Sequence, residues 1–276
     1  MLNNLYVKDH VKEALKEDIG FGDITTENLA VDDDYLKGAL NTRSDGVLCG
    51  ADVFKTVYET LSKDIKIKFY FKDGDLIKKG DKIADIEGPA KELLIGERVA
   101  LNYIQRMSGI ATETKKYQDA IGNYPAKIVD TRKTTPNFRI FEKYAVKTGG
   151  GALHRFNLSD CAMIKDNHIR LAGSITNAVQ KLKENLSHAH KIEVECDTIE
   201  QVKEALAADV DIIMLDNMDI ESMKTACCLI NHKAIVEASG NVNLSTVGAI
   251  ASTGVDIISS SAIVAKAPTL DLALDM

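Results

Sequence analysis

The sequence predicts an α/β protein in two parts, the larger a β/α barrel, and three observations carry that expectation. Up to about residue 108 short strand-like pieces mix with Gly-Asp turns, whereas beyond it an apolar strand followed by an amphipathic helix recurs. The strands of the second part are continuous apolar runs, as parallel strands covered on both faces require. Nearly every one of those runs ends in a charged or small polar group.

Taken in order, the strand candidates are Lys127–Asp130, Cys161–Lys165, Lys191–Glu195, Asp211–Leu215, Ala234–Glu237 and Asp256–Ser259. Between them lie helical stretches such as Thr198–Ala208, where Thr198 and Gln201 form a capping-box pattern and Ile199, Val202, Ala205 and Leu206 mark one apolar face. Strands repeating in this way suit a β/α barrel or a doubly wound sheet. The endings favour the barrel: Asp130 to Lys133, Lys165 to Asn167, Glu195, Asp216-Asn217, Ser239 to Asn241 and Ser259 to Ser261 would converge on the face that carries barrel active sites. With about 160 residues available, the barrel is undersized.

In the first part, Lys72 to Asp81 has the turn-strand-turn outline of a biotinyl or lipoyl carrier, but no lysine stands at a hairpin tip in a carrier setting. Two Gly-Asp turns in a β-rich layer is the plainer reading.

Composition narrows the function. A chain of 276 residues with 45% hydrophobic residues has enough apolar material for a sizeable core, and a net charge of −7 argues against a broad nucleic-acid or anionic-membrane surface. No apolar run is long enough to span a bilayer, and the charged start MLNNLYVKDHVKEALKED is unlike a signal peptide, so a cytoplasmic location is expected. Cys49, Cys161, Cys196, Cys227 and Cys228 form no Cys-x-x-Cys pair and read as small core residues, and the histidines show no metal-binding spacing.

Charge is distributed unevenly. Residues 130–170 hold eight Lys/Arg (Arg132, Lys133, Arg139, Lys143, Lys147, Arg155, Lys165, Arg170) against four acids, so this window carries +4 while the remainder carries −11. Cations gathered at the C-terminal edge of a sheet point to a small polyanion, a phosphate ester or polycarboxylate. Lys147-Thr148-Gly149-Gly150-Gly151 lacks the P-loop order, although its glycines would let backbone N–H groups approach an anion. Glu195 and Asp216 end successive strands and would share the cationic mouth, where carboxylates suit Mg²⁺ or ribose hydroxyls.

A longer set of segments runs nearly end to end: EDIGFGDIT (17–25), GERVALN (96–102), SGIAT (108–112), DTRKTTP (130–136), KTGGGALHR (147–155), IKDNH (164–168), EVE (193–195), LDNM (215–218) and EASGN (237–241). In this order they resemble the quinolinate phosphoribosyltransferases, the decarboxylating enzymes that make nicotinate mononucleotide in NAD biosynthesis. The resemblance implies an N-terminal α/β sandwich over 1–108, completed by the tail 267–276, and an incomplete barrel of fewer than eight strands over 109–266. It implies a homodimer, alone or within a hexamer, whose active sites are shared between subunits. The substrates it implies are quinolinate and 5-phosphoribosyl-1-pyrophosphate with Mg²⁺; the products are nicotinate mononucleotide, pyrophosphate and CO₂.

Site roles follow from the same resemblance. Arg132, His154 and Arg155 would hold the quinolinate carboxylates beside Thr131, with Arg98 arriving from the other subunit. Lys133 and Lys165 would lie between both substrates. Glu195 and Asp216 would bind the ribose hydroxyls or Mg²⁺, directly or through water, and favour an oxocarbenium-like sugar carbon. Ser239, Gly240, Asn241, Ser260, Ser261 and Ala262 would cradle the 5′-phosphate. The alternatives are a phosphoribosyltransferase for nicotinate or another aromatic acid, a Schiff-base aldolase built on Lys165, and a carrier or RNA-binding protein using the basic stretch, which has few aromatics for base stacking.

Overall fold

The computed structural model describes residues 2–31 and 33–276. In chain order the first half holds α1 (Asn4–Ile19), α2 (Ile24–Leu29), β1 (Tyr35–Thr42), β2 (Gly46–Val47), α3 (Ala51–Leu61), β3 (Lys66–Phe69), β4 (Leu76–Ile77), β5 (Lys82–Pro89) and α4 (Ala90–Ile121). Then come β6 (Lys127–Val129), α5 (Arg139–Thr148), β7 (Cys161–Ile164), α6 (Asp166–Ala172), α7 (Ile175–Asn185), β8 (Lys191–Cys196) and α8 (Ile199–Ala207). The last elements are β9 (Ile212–Asp216), α9 (Ile220–Ile230), β10 (Ile235–Ser239), α10 (Val247–Ala251), β11 (Ile257–Ser259), α11 (Ala262–Ala265) and β12 (Leu272–Asp275). They form two compact units, one comprising the chain to Lys115 with Asn137–Gly150 and Ala267–Met276, the other Lys116–Pro136 and Gly151–Lys266.

The first unit is an α/β sandwich on a four-stranded antiparallel sheet, in the order β12-β1-β5-β3. The tail enters this sheet as an edge strand, with Ala39 opposite Asp275 and Thr42 opposite Leu272. Helix α1 starts at Asn3, whose side chain accepts the Leu5 N–H at 3.0 Å, and buries Val7, Val11 and Leu15, one per helical turn, as it packs on α3. Helix α3 begins after Gly50 at φ 106°, a conformation that favours glycine, and Asp73 accepts the Gly50 and Ala51 N–H groups at 3.0 Å. One of the two Gly-Asp turns therefore supplies a helix cap.

Two contacts tie the later segments into this unit. Arg106 donates to Glu142 Oε1 of α5 at 3.0 Å and to the Ala267 carbonyl at 2.9 Å. Gly109 gives the tail room, because a Cβ there would run into the Pro268 carbonyl and stand 3.0 Å from Thr269 Cα.

The second unit is built on six parallel strands in the order β6-β11-β10-β9-β8-β7. This order separates the barrel from the doubly wound sheet. A doubly wound sheet reverses direction at a switch point, whereas here the strands rise from β7 to β11 without reversal and β6 pairs with β11. The sheet is an incomplete barrel, open between β6 and β7. The segment after Gly151 borders that opening: Ala152 forms a parallel bridge with Val129 and donates its N–H to the Ile128 carbonyl at 2.9 Å.

Helices α7, α8 and α9 begin at Ser174, Thr198 and Asp219, each accepting a backbone N–H three residues on. Thr198 and Gln201 form the expected capping box, and Val202 and Ala205 are the buried part of the expected face. Among the described residues no helix is long and apolar enough to cross a membrane.

Candidate active site

Strand register decides what faces the barrel interior. Glu193 lies opposite Met163, Glu195 opposite Met214, Met214 opposite Glu237, and Asp216 opposite Ser239. Because side chains alternate along a strand, Glu195, Met214 and Glu237 share one level, and Asp216 and Ser239 stand one level nearer the strand C-termini. The apolar runs thus carry an inward row of polar side chains, and above it opens a cavity of about 680 Å³, within the ~300–1,000 Å³ range of small-molecule sites.

Cations enter this cavity from several elements. Arg132 and Lys133 follow β6, His154 and Arg155 come from the segment at the barrel's opening, Lys165 follows β7, and Lys266 follows α11. Thr131 lines the cavity and turns the chain by accepting the Lys133 N–H at 3.0 Å. Arg155 is anchored on β7, donating to the Cys161 carbonyl at 2.8 Å and to Met163 Sδ at 3.4 Å. The Lys165 ammonium is paired with the Glu195 carboxylate. That commitment suits a charged binding group rather than the free amine of a Schiff-base enzyme.

Beneath these cations lies a buried His–Glu–Glu cluster. The His154 backbone N–H donates to Asp130 Oδ1 at 2.9 Å, and the ring Nε2 stands 3.5 Å from Glu193 Oε1 and 3.4 Å from Glu237 Oε1. Glu193 and Glu237 are only 1% and 2% exposed. Burial lowers the His154 pKa, but the two carboxylates outweigh it and push it up to about 10; burial in turn raises that of Glu193. The three side chains could ligate a metal ion. Yet His154 Nδ1 accepts the Arg155 N–H at 2.7 Å, which puts the ring hydrogen on Nε2, facing the carboxylates as a donor. With its pKa raised to about 10 the ring is charged at neutral pH, and that amide contact opens in the charged form.

Small residues complete the cavity. Ser239, Gly240 and Asn241 extend from β10, and Ser259, Ser260, Ser261 and Ala262 extend from β11. Ser260 is pinned by its N–H to the Val129 carbonyl at 3.1 Å, and its hydroxyl oxygen accepts the Ala262 N–H at 3.3 Å. Asp216 and Asn217 line the same wall.

Every site residue expected of the barrel thus borders one cavity, and Arg98 does not; it lies exposed on α4 in the first unit. Four of the eight cations of the basic window do not line the cavity. Arg139, Lys143 and Lys147 sit on α5 in the first unit, where Lys143 is buried, and Arg170 is exposed on α6. The glycines after Lys147 have a packing role: a Cβ on Gly149 would run into the Ala111 carbonyl and stand 2.9 Å from Thr114 Cβ. Sequence reasoning assigned no role to Lys266, Met163, Met214, Glu193 or Glu237. For the glutamates the available signal was a charge inside an apolar strand run.

Two family models match the chain, the N-terminal domain of quinolinate phosphoribosyl transferase over 23–108 and its C-terminal domain over 110–275. The chain belongs to the quinolinate phosphoribosyltransferase family. Among members of that family, the probable nicotinate-nucleotide pyrophosphorylase (carboxylating) of Synechocystis is 44% identical, over 96% of this chain and 91% of the relative. The corresponding Bacillus subtilis protein is 40% identical over 100% of this chain and 95% of its own. The NadC structure from Streptococcus pyogenes superposes with a TM-score of 0.97 at 40% identity, covering 100% of this chain and 98% of that one. The nicotinate-nucleotide pyrophosphorylase structure from Francisella tularensis gives 0.95 at 40% identity, over 100% and 97% of the two chains.

Proposed function

We infer that this chain transfers the phosphoribosyl group of 5-phosphoribosyl-1-pyrophosphate to the ring nitrogen of quinolinate and releases pyrophosphate and CO₂, leaving nicotinate mononucleotide. Family membership supports the reaction. The observation that carries it at the level of residues is the juxtaposition, in one cavity, of five Lys/Arg side chains with two strand-end carboxylates and a row of small strand-end residues. Three chemically distinct groups on the substrates need such a wall: carboxylates, phosphates and a sugar carbon that gains positive charge.

In this reading Arg132, Arg155 and His154 bind the two quinolinate carboxylates, and the guanidinium forks orient the ring by paired hydrogen bonds. Lys133 and Lys165 face both substrates and neutralise the departing pyrophosphate. Ser239, Gly240, Asn241, Ser260, Ser261 and Ala262 receive the 5′-phosphate through N–H and hydroxyl donors. Glu195 and Asp216 approach the ribose hydroxyls and favour the oxocarbenium-like carbon electrostatically. After transfer the C–C bond to the 2-carboxylate breaks, CO₂ leaves, and the electron pair on C2 is stabilised by the adjacent pyridinium nitrogen before a proton replaces the carboxyl group. No protein nucleophile takes part; positioning and charge supply the acceleration.

Glu195 and Asp216 also form a hard-oxygen donor set on neighbouring strands, which fits Mg²⁺. There the ion would balance pyrophosphate charge.

The active unit in this proposal is a homodimer, alone or as the building block of a hexamer, with Arg98 reaching the partner's cavity. Exposed apolar side chains of the first unit, Leu5, Phe21, Ile24 and Leu29, support association. A cytoplasmic location is consistent with the five unpaired cysteines. The deciding assay incubates the protein with quinolinate, phosphoribosyl pyrophosphate and Mg²⁺ and measures CO₂ and pyrophosphate; equal release of both is expected. Turnover of nicotinate with none of quinolinate would overturn the reading.

A further inference from the structure

Asn217 breaks a local rule, and its neighbours adjust around it. It follows β9 with φ 53°, in the left-handed region that non-glycine residues seldom occupy, and Asn241 does the same after β10 at φ 52°. Between them Gly240 has φ 92°; a Cβ there would overlap the Asn217 amide and stand 2.8 Å from the Asn217 backbone N. A left-handed conformation at a non-glycine residue persists only when the surroundings hold it, and here two such residues meet a glycine at one corner of the cavity.

The amide of Asn217 is what they hold. Its Nδ2 donates to Asp216 Oδ2 at 2.7 Å, its Oδ1 accepts from Asn241 Nδ2 at 3.0 Å, and its backbone N–H donates to the Ser239 carbonyl at 3.0 Å. One side chain thus joins the carboxylate that ends β9 to the glycine turn that ends β10. Both lie on the wall that the function proposed above gives to the sugar phosphate, whereas Arg155, on the carboxylate-binding side, is anchored separately on β7.

We propose that Asn217 is a positioning residue for the phosphoribosyl donor, setting the Asp216 carboxylate and the Gly240-Asn241 turn in register through its amide. The proposal rests on the reaction inferred above. It makes Asn217 selective: it acts on one of two substrates, and its strained backbone is retained at the expense of stability.

Asn217→Gly tests this, because glycine accepts the positive φ while removing both side-chain hydrogen bonds. The Michaelis constant for phosphoribosyl pyrophosphate should rise about tenfold or more, that for quinolinate should stay within about twofold, and the melting temperature should be unchanged or higher. Asn217→Asp, which keeps the acceptor to Asn241 but sets a second carboxylate against Asp216, should show the same selective loss. Equal losses for both substrates, no loss, or a marked drop in melting temperature or failure of Asn217→Gly to fold would overturn the proposal. Direct calorimetric titration with each substrate keeps the two readings apart: a wild-type protein that binds neither removes the proposed function and this inference together, while one that binds both, with variants that bind both equally well, removes only this inference.

Discussion

His154 Nε2 and Glu237 Oε1 lie 3.4 Å apart beneath the cavity, and Glu193 Oε1 stands 3.5 Å from the same nitrogen. Two carboxylates that burial has removed from water thus share one imidazole. Loss of either carboxylate changes how the cluster holds its protons.

The pH dependence has a definite sign. The His154 pKa is raised from 6.5 to about 10 in the folded chain, so its contribution to stability is complete below about pH 6.5 and is lost as the pH climbs through 10. Glu193, also raised, acts in the same direction, since a folded state that holds protons more tightly weakens as they leave. Glu237→Gln should therefore be less stable than wild type at pH 6, by about 1–3 kcal/mol, and the gap should close toward pH 10. Urea unfolding at stepped pH measures it; a gap that widens with pH would contradict the assignment.

Arg155→Ala removes a charge-assisted hydrogen bond from one substrate only. The quinolinate requirement should rise about ten- to a hundredfold, from a bond worth about 1.5–3 kcal/mol, while that for phosphoribosyl pyrophosphate stays within about twofold. Steady-state kinetics with each substrate varied in turn decides. Parallel losses would mean that Arg155 mainly holds β7 in place through Cys161 and Met163.

Activity should require Mg²⁺ and should fall about a hundredfold or more in Asp216→Asn and Glu195→Gln, with circular dichroism unchanged. Glu195→Gln also releases Lys165 from its ion pair, so this variant should be the tighter of the two in binding the sugar phosphate. Full turnover in excess chelator would remove the metal role.

Arg98 should act in trans. Inactive Arg98→Ala subunits mixed with inactive Lys133→Ala subunits should regain up to about half of wild-type activity per mixed dimer, because one of its two sites is then intact. Verified heterodimers that stay inactive would leave Arg98 local to its own chain.

Much of this architecture is legible in the chain. The six barrel strands announce themselves as apolar runs because parallel strands are covered on both faces, and the groups at their ends are readable as a site because a barrel collects strand ends on one face. Glu193 and Glu237 escape such reading: within a run they look like single interruptions, and their common partner, His154, comes from a segment 39 residues before Glu193 in number and on another element. The basic window misleads for a related reason. Charge counted along the chain is blind to α5 belonging to the first unit, and Arg139, Lys143 and Lys147 on it do not line the cavity. Gly149 reads as a phosphate loop until Ala111 is seen against it.

The strand β12 has a consequence for how the protein is made. Its partner β1 emerges from the ribosome more than two hundred residues earlier, and among the described residues Ala39 to Thr42 pair with no other strand on that side until Leu272 to Asp275 have been translated. Until β12 arrives the edge on that side is the eight-residue β1, and only afterwards the shorter four-residue β12; a long unpaired edge is the kind of surface that recruits strands from other chains. Truncation within Leu272–Asp275 would make that transient exposure permanent, and the damage would show as aggregation of nascent chains before it showed as lost catalysis.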